Sequence, residues 1–243
     1  MWQSQRSRGR MKTPKRRESM KIGIIGAGRM AQSVAWLATR AGYQVMLSNS
    51  RGPESIQTLR KPLGCEVGWV NEAAAYGDIV FAALPLQACR AVPAEPLEGK
   101  IVLNPQNYFP HFGVLPELES GVMTTADVLA RHLPKSRVVK AFNAILVEEV
   151  VPDARPAGAR DRRALPIAGD DADARSTTIA LMDRLGYDAV DGGQLAEGWR
   201  FERQRPVYCV PLDKPMLAQL LAETTRDSVM PEAHWLTHRG MRA

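Results

Sequence analysis

The sequence predicts an α/β protein built on a doubly wound, mainly parallel β-sheet, with a small helical appendage at its C-terminal end. Three observations support this prediction. Short apolar runs alternate with helix-like segments, the joints between them are short, and the first run ends in a glycine-rich turn that opens a helix. With 243 residues, 45% of them hydrophobic and 24% charged, the chain can bury a substantial core.

The elements are predicted in order from these apolar runs and from the signals that begin and end helices. Buried strands are expected at residues 21–26, 43–47, 78–84, 100–103 and 137–142, and more weakly at 164–168 and 187–190. Helices are expected at 28–40, from Pro53 onward, at 125–133, at 171–185 and at 213–227. Because proline cannot donate to a ladder, Pro166 favours an edge strand. The proline- and arginine-rich residues 150–163 are predicted to form an exposed loop.

The net charge of +6 is concentrated at the N-terminal end. Residues 1–20 hold seven basic side chains and one acidic side chain, and the rest of the chain holds 25 of each. We therefore predict three parts: a basic, disordered tail at 1–19, a nucleotide-binding domain at 20–195 and the appendage at 196–243. Because the body is neutral, nucleic acid is an unlikely partner.

Several classes of protein are disfavoured by composition. The sequence contains no stretch of about 20 apolar residues, so no membrane span is predicted. Cys65, Cys89 and Cys209 lie far apart, and the four histidines have no ligand spacing, so neither a disulfide framework nor a metal site is expected. This cysteine usage favours a reducing, cytoplasmic setting.

The glycine-rich turn has the pattern Gly-x-Gly-x-x-Ala between the first strand and the first helix, which indicates a Rossmann-type fold. Gly26 permits the tight turn, Gly28 lets the backbone approach a pyrophosphate, and Ala31 keeps the helix close to the sheet. The helix N-terminus offers free N–H groups and a partial positive charge to the phosphates. The turn residues Gly26, Ala27, Gly28, Arg29 and Met30 are therefore predicted to bind a dinucleotide.

The end of the second strand indicates which dinucleotide is bound. A carboxylate usually binds the ribose hydroxyls of NAD at this point, but the sequence reads Ser48-Asn49-Ser50-Arg51-Gly52. A hydroxyl and a guanidinium bind a 2′-phosphate that a carboxylate would repel. Ser50 and Arg51 are thus predicted to bind the 2′-phosphate, with Asn49 and Arg29 as helpers, and the cofactor is predicted to be NADP(H).

Three more strand ends are expected to face the nicotinamide half of the cofactor, because ligands bind at the carboxyl ends of such strands. They are Leu84-Pro85-Leu86, Asn104-Pro105-Gln106-Asn107 and Ala141-Phe142-Asn143-Ala144. Asn143 is the candidate for orienting the nicotinamide, since its amide interrupts an apolar run. Asn104 fits a turn-forming role equally well.

The sequence shows no nucleophile elbow, no Tyr-x-x-x-Lys pair at a suitable place and no P-loop. Hydride transfer between two rings needs mainly a fixed geometry, so it can proceed without a side-chain acid. The missing proton donor therefore favours exchange with a flat redox ring and disfavours a carbonyl reductase.

At residues 21–195 the sequence resembles the NADP-dependent reductases of the deazaflavin coenzyme F-420. The resemblance is carried by Ile22-Gly-Ile-Ile-Gly-Ala-Gly28, by Ser48–Pro53 and by Val139-Lys-Ala-Phe-Asn143. It implies that the Ser48–Pro53 turn holds the 2′-phosphate, that Lys140–Asn143 lies by the nicotinamide, and that a deazaflavin accepts or gives the hydride. The cytosolic domain of six-transmembrane ferric reductases is also similar, and there a flavin is the acceptor. A homodimer is expected by analogy with the family.

The sequence departs from the family after Gly193, where the acceptor pocket is expected. Trp199, Phe201 and Tyr208 either stack on a flat ring or pack the appendage onto the core. Arg200, Arg203 and Arg205 either meet an acidic group of the small-molecule acceptor or are solvated. Two other functions stay open: an imine reductase of the pyrroline-5-carboxylate type, whose long helical half has no counterpart here, and a non-catalytic NADPH sensor.

Overall fold

The computed structural model describes residues 20–238, and the predicted basic tail at 1–19 lies outside them. The strands are β1 Lys21–Ile25, β2 Gln44–Ser48, β3 Glu66–Gly68, β4 Ile79–Ala82, β5 Ile101–Asn104, β6 Arg137–Lys140, β7 Ala164–Gly169 and β8 Asp188–Asp191. The helices are α1 Arg29–Arg40, α2 Gln57–Leu63, α3 Val70–Tyr76, α4 Pro116–Glu119, α5 Thr125–His132, α6 Ala172–Leu185 and α7 Lys214–Glu223. A 3₁₀ turn at Pro53–Ile56 precedes α2, and another spans Leu195–Phe201.

The eight strands form one sheet in the order β3-β2-β1-β4-β5-β6-β7-β8. β1 to β6 are parallel, β7 runs antiparallel to β6, and β8 is parallel to β7. The predicted α/β class and the Rossmann-type, mainly parallel sheet are confirmed. β3, α3 and the short helix α4 were not predicted, and the other elements end within a few residues of their predicted bounds.

The core lies on both faces of the sheet. On one face, α1, α2 and α6 pack on alternate residues of β1, β2, β4 and β5 and form one apolar cluster. On the other face, α3 and α5 cover a second cluster built on Val80, Ala82 and Val102. Because helices cover both faces of the sheet, the parallel strands are buried on both sides, and their sequences are nearly continuous apolar runs.

The edge position predicted for the strand with Pro166 is wrong, because β7 lies between β6 and β8. β6 pairs only with Ala168 and Gly169, so Pro166 falls beyond this short ladder. On its other side, β7 pairs with β8 in parallel along its length, and Leu165, Pro166 and Ile167 each lie opposite a residue of β8. An interior proline is tolerated here because one side of the strand is only partly paired.

The exposed loop predicted at 150–163 is also wrong at both of its ends. Arg162 and Arg163 are buried, and so are Val150 and Asp153. The Arg163 guanidinium lies 2.7 Å from Glu149 and 2.6 Å from Asp153, and Arg162 pairs with carboxylates of α6 and β8. These ion pairs offset the cost of burying the charges, which composition alone could not reveal.

The C-terminal segment packs against β7 and forms a third apolar cluster. Phe201, Tyr208 and Cys209 contact Ala164 and Ala168 of this strand, and Leu217 and Leu221 of α7 complete the cluster. No helix within residues 20–238 has the length and apolar composition needed to cross a membrane. The division of the chain at residue 195 stays a prediction.

A buried ion pair ties this segment to the parallel sheet. The Lys140 side chain at the end of β6 has no exposed surface, and its Nζ lies 3.3 Å from Glu202 Oε1. The same ammonium donates to Gln106 O and to the Thr125 hydroxyl, which in turn donates to Glu202. Burial lowers the pKa of Lys140, and the Glu202 carboxylate opposes this shift.

We expect Glu202→Gln to destabilise the protein by about 3–5 kcal/mol, because it leaves a buried ammonium without its counter-ion. Lys140→Met should cost less, since the Glu202 side chain stays 22% exposed and keeps its Thr125 donors. The double variant should recover much of the loss. Urea unfolding midpoints at an unchanged m-value measure these differences.

Lys135→Met is the matched control, because Lys135 and Glu98 form a pair that is 70% and 50% exposed. This change should cost less than about 1 kcal/mol. A Glu202→Gln protein as stable as the Lys135→Met protein would show that the buried pair does not anchor the segment.

Candidate functional site

The candidate site is a cleft at the carboxyl ends of β1, β2 and β4. The chain connects β1 to β2 and β3 on one side and β4 to β5 and β6 on the other, so the connections diverge between β1 and β4. A crevice opens at such a switch point. A first cavity of about 310 Å³ lies there and is lined by Gly26, Ala27, Gly28, Asn49, Ser50, Leu84 and Pro85 among others. Six of the predicted binding residues thus share one cavity.

Gly26 brings the ends of β1 and β4 together. Its φ is +117°, and a Cβ at this position would lie 2.0 Å from the carbonyl oxygen of Ala83. The Gly26 N–H donates to Ser48 O at 2.9 Å, which links the turn to the end of β2. The Gln32 amide, which sequence reasoning missed, donates to Ala27 O at 2.8 Å and supports the turn from α1. The protein itself therefore requires glycine at position 26.

Gly28 has a different reason to be glycine. Its backbone is extended, with φ −72° and ψ 179°, and a Cβ there would meet no atom within 4 Å. Gly28 caps α1, whose first turn contains no acidic residue and receives no side-chain cap. The open space above Gly28 and the positive end of α1 together form a cradle that fits an anionic group.

The turn after β2 presents its charge to the solvent. Asn49 holds the turn, because its amide donates to Ser55 Oγ at 2.8 Å and its Oδ1 accepts from the Arg51 N–H at 3.1 Å. Ser50 and Arg51 are exposed, and Arg51 forms no ion pair with any residue between 20 and 238. Glu54 is the sole carboxylate in residues 48–55. Arg29, at the start of α1, is likewise exposed. Asn49 thus shapes the turn that presents Arg51.

A second cavity of about 290 Å³ continues the cleft toward β5 and shares its wall at Ala83, Leu84 and Pro85 with the first cavity. Met30, predicted to belong to the binding turn, lines this cavity. The remaining lining comes from Leu86, Gln87, Pro105, Gln106, Asn107, Phe109 and Phe112. Its walls therefore consist of aromatic rings and other apolar side chains, together with three side-chain amides.

Asn104 and Ala141 lie beneath the cleft and do not line it. Both are fully buried, and the Ala141 N–H donates to Asn104 O at 3.1 Å. The Asn104 side chain accepts from the Gln106 N–H and donates to its amide oxygen, while the Gln106 amide donates to Leu84 O at 3.0 Å. The Asn104 side chain therefore faces Gln106 and lines neither cavity, and its contact with a cofactor stays a prediction. The turn that Asn104 stabilises instead presents Gln106.

Asn143 is also buried and lies outside the cavity lining. Its amide donates to Phe201 O at 2.8 Å and to Asn107 Oδ1 at 3.3 Å, whereas its Oδ1 has no hydrogen-bond partner among the described residues. The Asn107 amide donates back to Asn143 O at 2.9 Å. The preceding Phe142 has φ +62°, a strained value for a non-glycine residue. The geometry makes Asn143 a support for Asn107.

The aromatic residues predicted around the acceptor divide into two groups. Phe201 and Tyr208 are buried in the third apolar cluster, and burial raises the pKa of the Tyr208 phenol far above its usual range. Trp199 is half-buried and lines a separate cavity. Packing is therefore the role of Phe201 and Tyr208, and Trp199 remains available to a ligand.

The three arginines predicted around the acceptor differ in their ion pairs. Arg200 forms an ion pair with Glu197 at 2.6 Å, and Arg203 pairs with Glu232 at 2.7 Å. Arg205 donates to the carbonyl oxygens of Arg226 and Ser228 and has no carboxylate partner in the described part of the chain. Of the three predicted arginines, Arg205 alone forms no ion pair among the described residues.

Metal-binding groups are not brought together by the fold. Within residues 20–238, no three His, Cys, Asp or Glu side chains lie close enough to hold a metal ion. The three cysteines are buried and free, and burial raises the pKa of the Cys209 thiol to about 12. His234 is buried and packs edge-to-face on Trp235.

Alanine substitutions at the two glycines should separate the fold from ligand binding. Gly28→Ala should leave the melting temperature nearly unchanged and weaken NADPH binding, since the methyl group fills the empty cradle. Gly26→Ala should lower the melting temperature strongly, because the methyl group meets Ala83 O and the backbone is left-handed. Thermal unfolding and calorimetric titration measure the two effects, and a Gly28→Ala protein that binds NADPH normally would exclude the cradle.

The sequence that forms this cleft is similar to known oxidoreductases. Residues 21–108 match the family model described as NADP oxidoreductase, coenzyme F420-dependent. The metalloreductase STEAP3 of Rattus norvegicus is 30% identical over 199 residues, which are 81% of this chain and 37% of the relative. Metalloreductase STEAP2 of Homo sapiens is 27% identical over 184 residues, 74% of this chain and 35% of the relative. The chain thus spans about a third of the length of these relatives.

Solved structures share the fold over most of the chain. A hypothetical protein from Sinorhizobium meliloti is 26% identical with a TM-score of 0.70, and the match covers 80% of this chain and 96% of that chain. A protein of Arthrobacter sp. described as a "putative f420 dependent nadp-reductase" is 23% identical with a TM-score of 0.63, over 75% of this chain and 88% of that chain. Residues 21–108 therefore match the coenzyme F420-dependent NADP oxidoreductase family, which confirms the resemblance predicted from the sequence.

Proposed function

We propose that the protein is an NADPH-dependent oxidoreductase that transfers a hydride between NADP(H) and a flat redox ring, such as a deazaflavin or a flavin. The family match and the metalloreductase relatives support the NADP-dependent class. The cleft supports the cofactor, because Gly28 leaves room for a phosphate and the exposed Arg51 guanidinium forms no ion pair within residues 20–238. Asn143 would act through Asn107, at the wall of the second cavity.

The residues that would hold the cofactor follow from the two cavities. The first cavity would bind the pyrophosphate over Gly26, Ala27 and Gly28, and Ser50 and Arg51 would bind the 2′-phosphate. Leu84, Pro85 and Met30 would contact the part of the cofactor that extends into the second cavity. NADPH, when bound, supplies the hydride.

One observation supports the proposed class of acceptor: none of the eleven residues that line the second cavity carries a titratable side chain. Reduction of a carbonyl needs a proton donor at the reacting oxygen, which a Tyr, His or Lys usually supplies. Two flat rings need only to be held in contact, with water excluded from between them. The apolar walls formed by Phe109, Phe112 and Pro105 suit this task, so an acceptor ring is favoured over a carbonyl compound.

Two further expectations stay predictions. A cytoplasmic location and a homodimer rest on cysteine usage and on analogy with the family. The imine reductase and the NADPH sensor remain the competing functions.

We expect the purified protein to oxidise NADPH when coenzyme F-420 or a flavin is added and not when a cyclic imine is added. Absorbance at the NADPH band, and at the deazaflavin band for F-420, follows the reaction. NADH in place of NADPH is the control for the cofactor, and a sample without acceptor is the control for slow autoxidation.

Turnover with the imine alone would contradict the proposed acceptor and favour the imine reductase. Tight NADPH binding without turnover on any of the three compounds would favour the sensor.

A further inference from the structure

A third cavity of about 290 Å³ lies on the other side of the Pro105–Phe112 segment, and we call it the arginine cavity. Trp199, Arg205 and Arg226 line it, and both guanidinium groups lie against the Trp199 indole, at 5.1 Å for Arg205 and 4.1 Å for Arg226. Arg226 was not predicted from the sequence. The cavity thus combines a flat aromatic face with two cations.

Carboxylates in the part of the chain that the structure describes make no direct contact with these two cations. Within residues 20–238, Arg205 and Arg226 form no ion pair, and Arg205 donates only to carbonyl oxygens. Burial lowers the pKa of the Arg205 guanidinium, and the charge on Arg226 lowers it further. The adjoining Gln204, which also lines the cavity, has a strained φ of +62°. Two like charges held together on one ring would be stabilised by an anion.

Two carboxylates also line the arginine cavity, but both are already bound. Glu202 accepts from the Thr125 N–H and hydroxyl and pairs with Lys140. Glu119 accepts from the Tyr108 hydroxyl at 2.7 Å. Neither carboxylate pairs with Arg205 or Arg226 in the described part of the chain, and the attraction of Glu202, which raises the pKa of Arg205, is outweighed by burial and by the charge on Arg226.

The arginine cavity is the neighbour of the second cavity. Asn107, Phe109 and Phe112 line the second cavity, while Tyr108 and Pro110 of the same segment line the arginine cavity. Arg203 lies over the Phe109 ring at 4.5 Å and donates to Tyr108 O, so it joins the two sides. A single stretch of chain therefore contributes to the walls of both cavities.

We propose that the arginine cavity binds the anionic tail of the hydride acceptor through Arg205, Arg226 and Trp199. The proposal rests on the proposed function and narrows it to flat rings that carry a phosphate or carboxylate tail. A phosphate bound here would receive charge-assisted hydrogen bonds from the two guanidinium groups, and Arg suits this geometry better than Lys.

The test compares two ligands with the same ring and a different charge. FMN carries a phosphate that riboflavin lacks, and coenzyme F-420 and its tailless deazaflavin riboside form a second pair. Equilibrium binding is followed by the fluorescence of each ring, with NADP⁺ present and absent. NADPH oxidation with the same four compounds is measured in parallel.

We expect the protein to bind the tailed compound at least about tenfold more tightly than the tailless compound, the size of one charge-assisted hydrogen bond. Arg226→Gln, at an exposed position, should reduce this preference about tenfold, and Arg205→Gln should do the same. Arg200→Gln is the matched control, since Arg200 is paired with Glu197 and does not line the cavity. The preference should survive in this variant and weaken with added salt.

Equal binding of the tailed and tailless compounds, or a preference that survives in Arg226→Gln and Arg205→Gln, would overturn the anionic site. If the rings are reduced without any dependence on the tail, the proposed function stands and this inference fails. If the tailed compounds bind preferentially but no compound is reduced, the anion site stands and the proposed function fails.

Discussion

The cleft exists because the chain leaves β1 and β4 in opposite directions along the sheet. The two strands are neighbours, so their carboxyl ends meet, and the backbone of Gly26 can approach Ala83 only because Gly26 has no side chain. The same turn donates a hydrogen bond to the end of β2. Three strand ends are thus held in fixed relation by backbone contacts, and the groups that face the cleft are positioned by the sheet.

The part of the cleft nearest the appendage depends on buried polar groups. Lys140 holds Gln106 through its carbonyl oxygen, and the Gln106 amide in turn holds Leu84. Glu202 connects Lys140 to the C-terminal segment, and Asn143 connects Asn107 to Phe201. Two series of contacts thus join a wall of the second cavity to residues beyond 195, one through Lys140 to Glu202 and one through Asn143 to Phe201. The C-terminal segment is therefore part of the framework that shapes the second cavity.

Local signals allowed most of the sheet and the first cavity to be predicted. The Gly26–Gly28 turn and the Ser48–Arg51 turn are contiguous in sequence, and their conformation follows from glycine and from the strands that precede them. β3 was missed because a three-residue strand is too short to show a period. Pro166 was misplaced because the limited pairing of β7 with β6 is a tertiary feature.

The second half of the site could not be predicted because it is assembled from distant residues. The carboxyl end of a strand can be identified from sequence, but which of its side chains line a cavity cannot, so Asn104 was named as the candidate contact, whereas Gln106 and Asn107 of the same strand end line the second cavity. Arg226 comes near Trp199 only through the path of the chain around α7. Composition also could not predict that Arg200 pairs with Glu197 and that Arg203 pairs with Glu232. These ion pairs disfavour both arginines as ligands of the acceptor.

The proposed function depends on a 2′-phosphate bound at the end of β2. Calorimetric titration of the wild-type protein and of Arg51→Glu with NADPH and with NADH tests it most directly. We expect the wild-type protein to prefer NADPH and the variant to lose about ten- to a hundredfold of this preference, with NADH binding nearly unchanged. Arg131→Glu, on an exposed arginine of α5, is the control for net charge. A wild-type protein that binds NADH more tightly, or a variant that loses both cofactors equally, would contradict the claim.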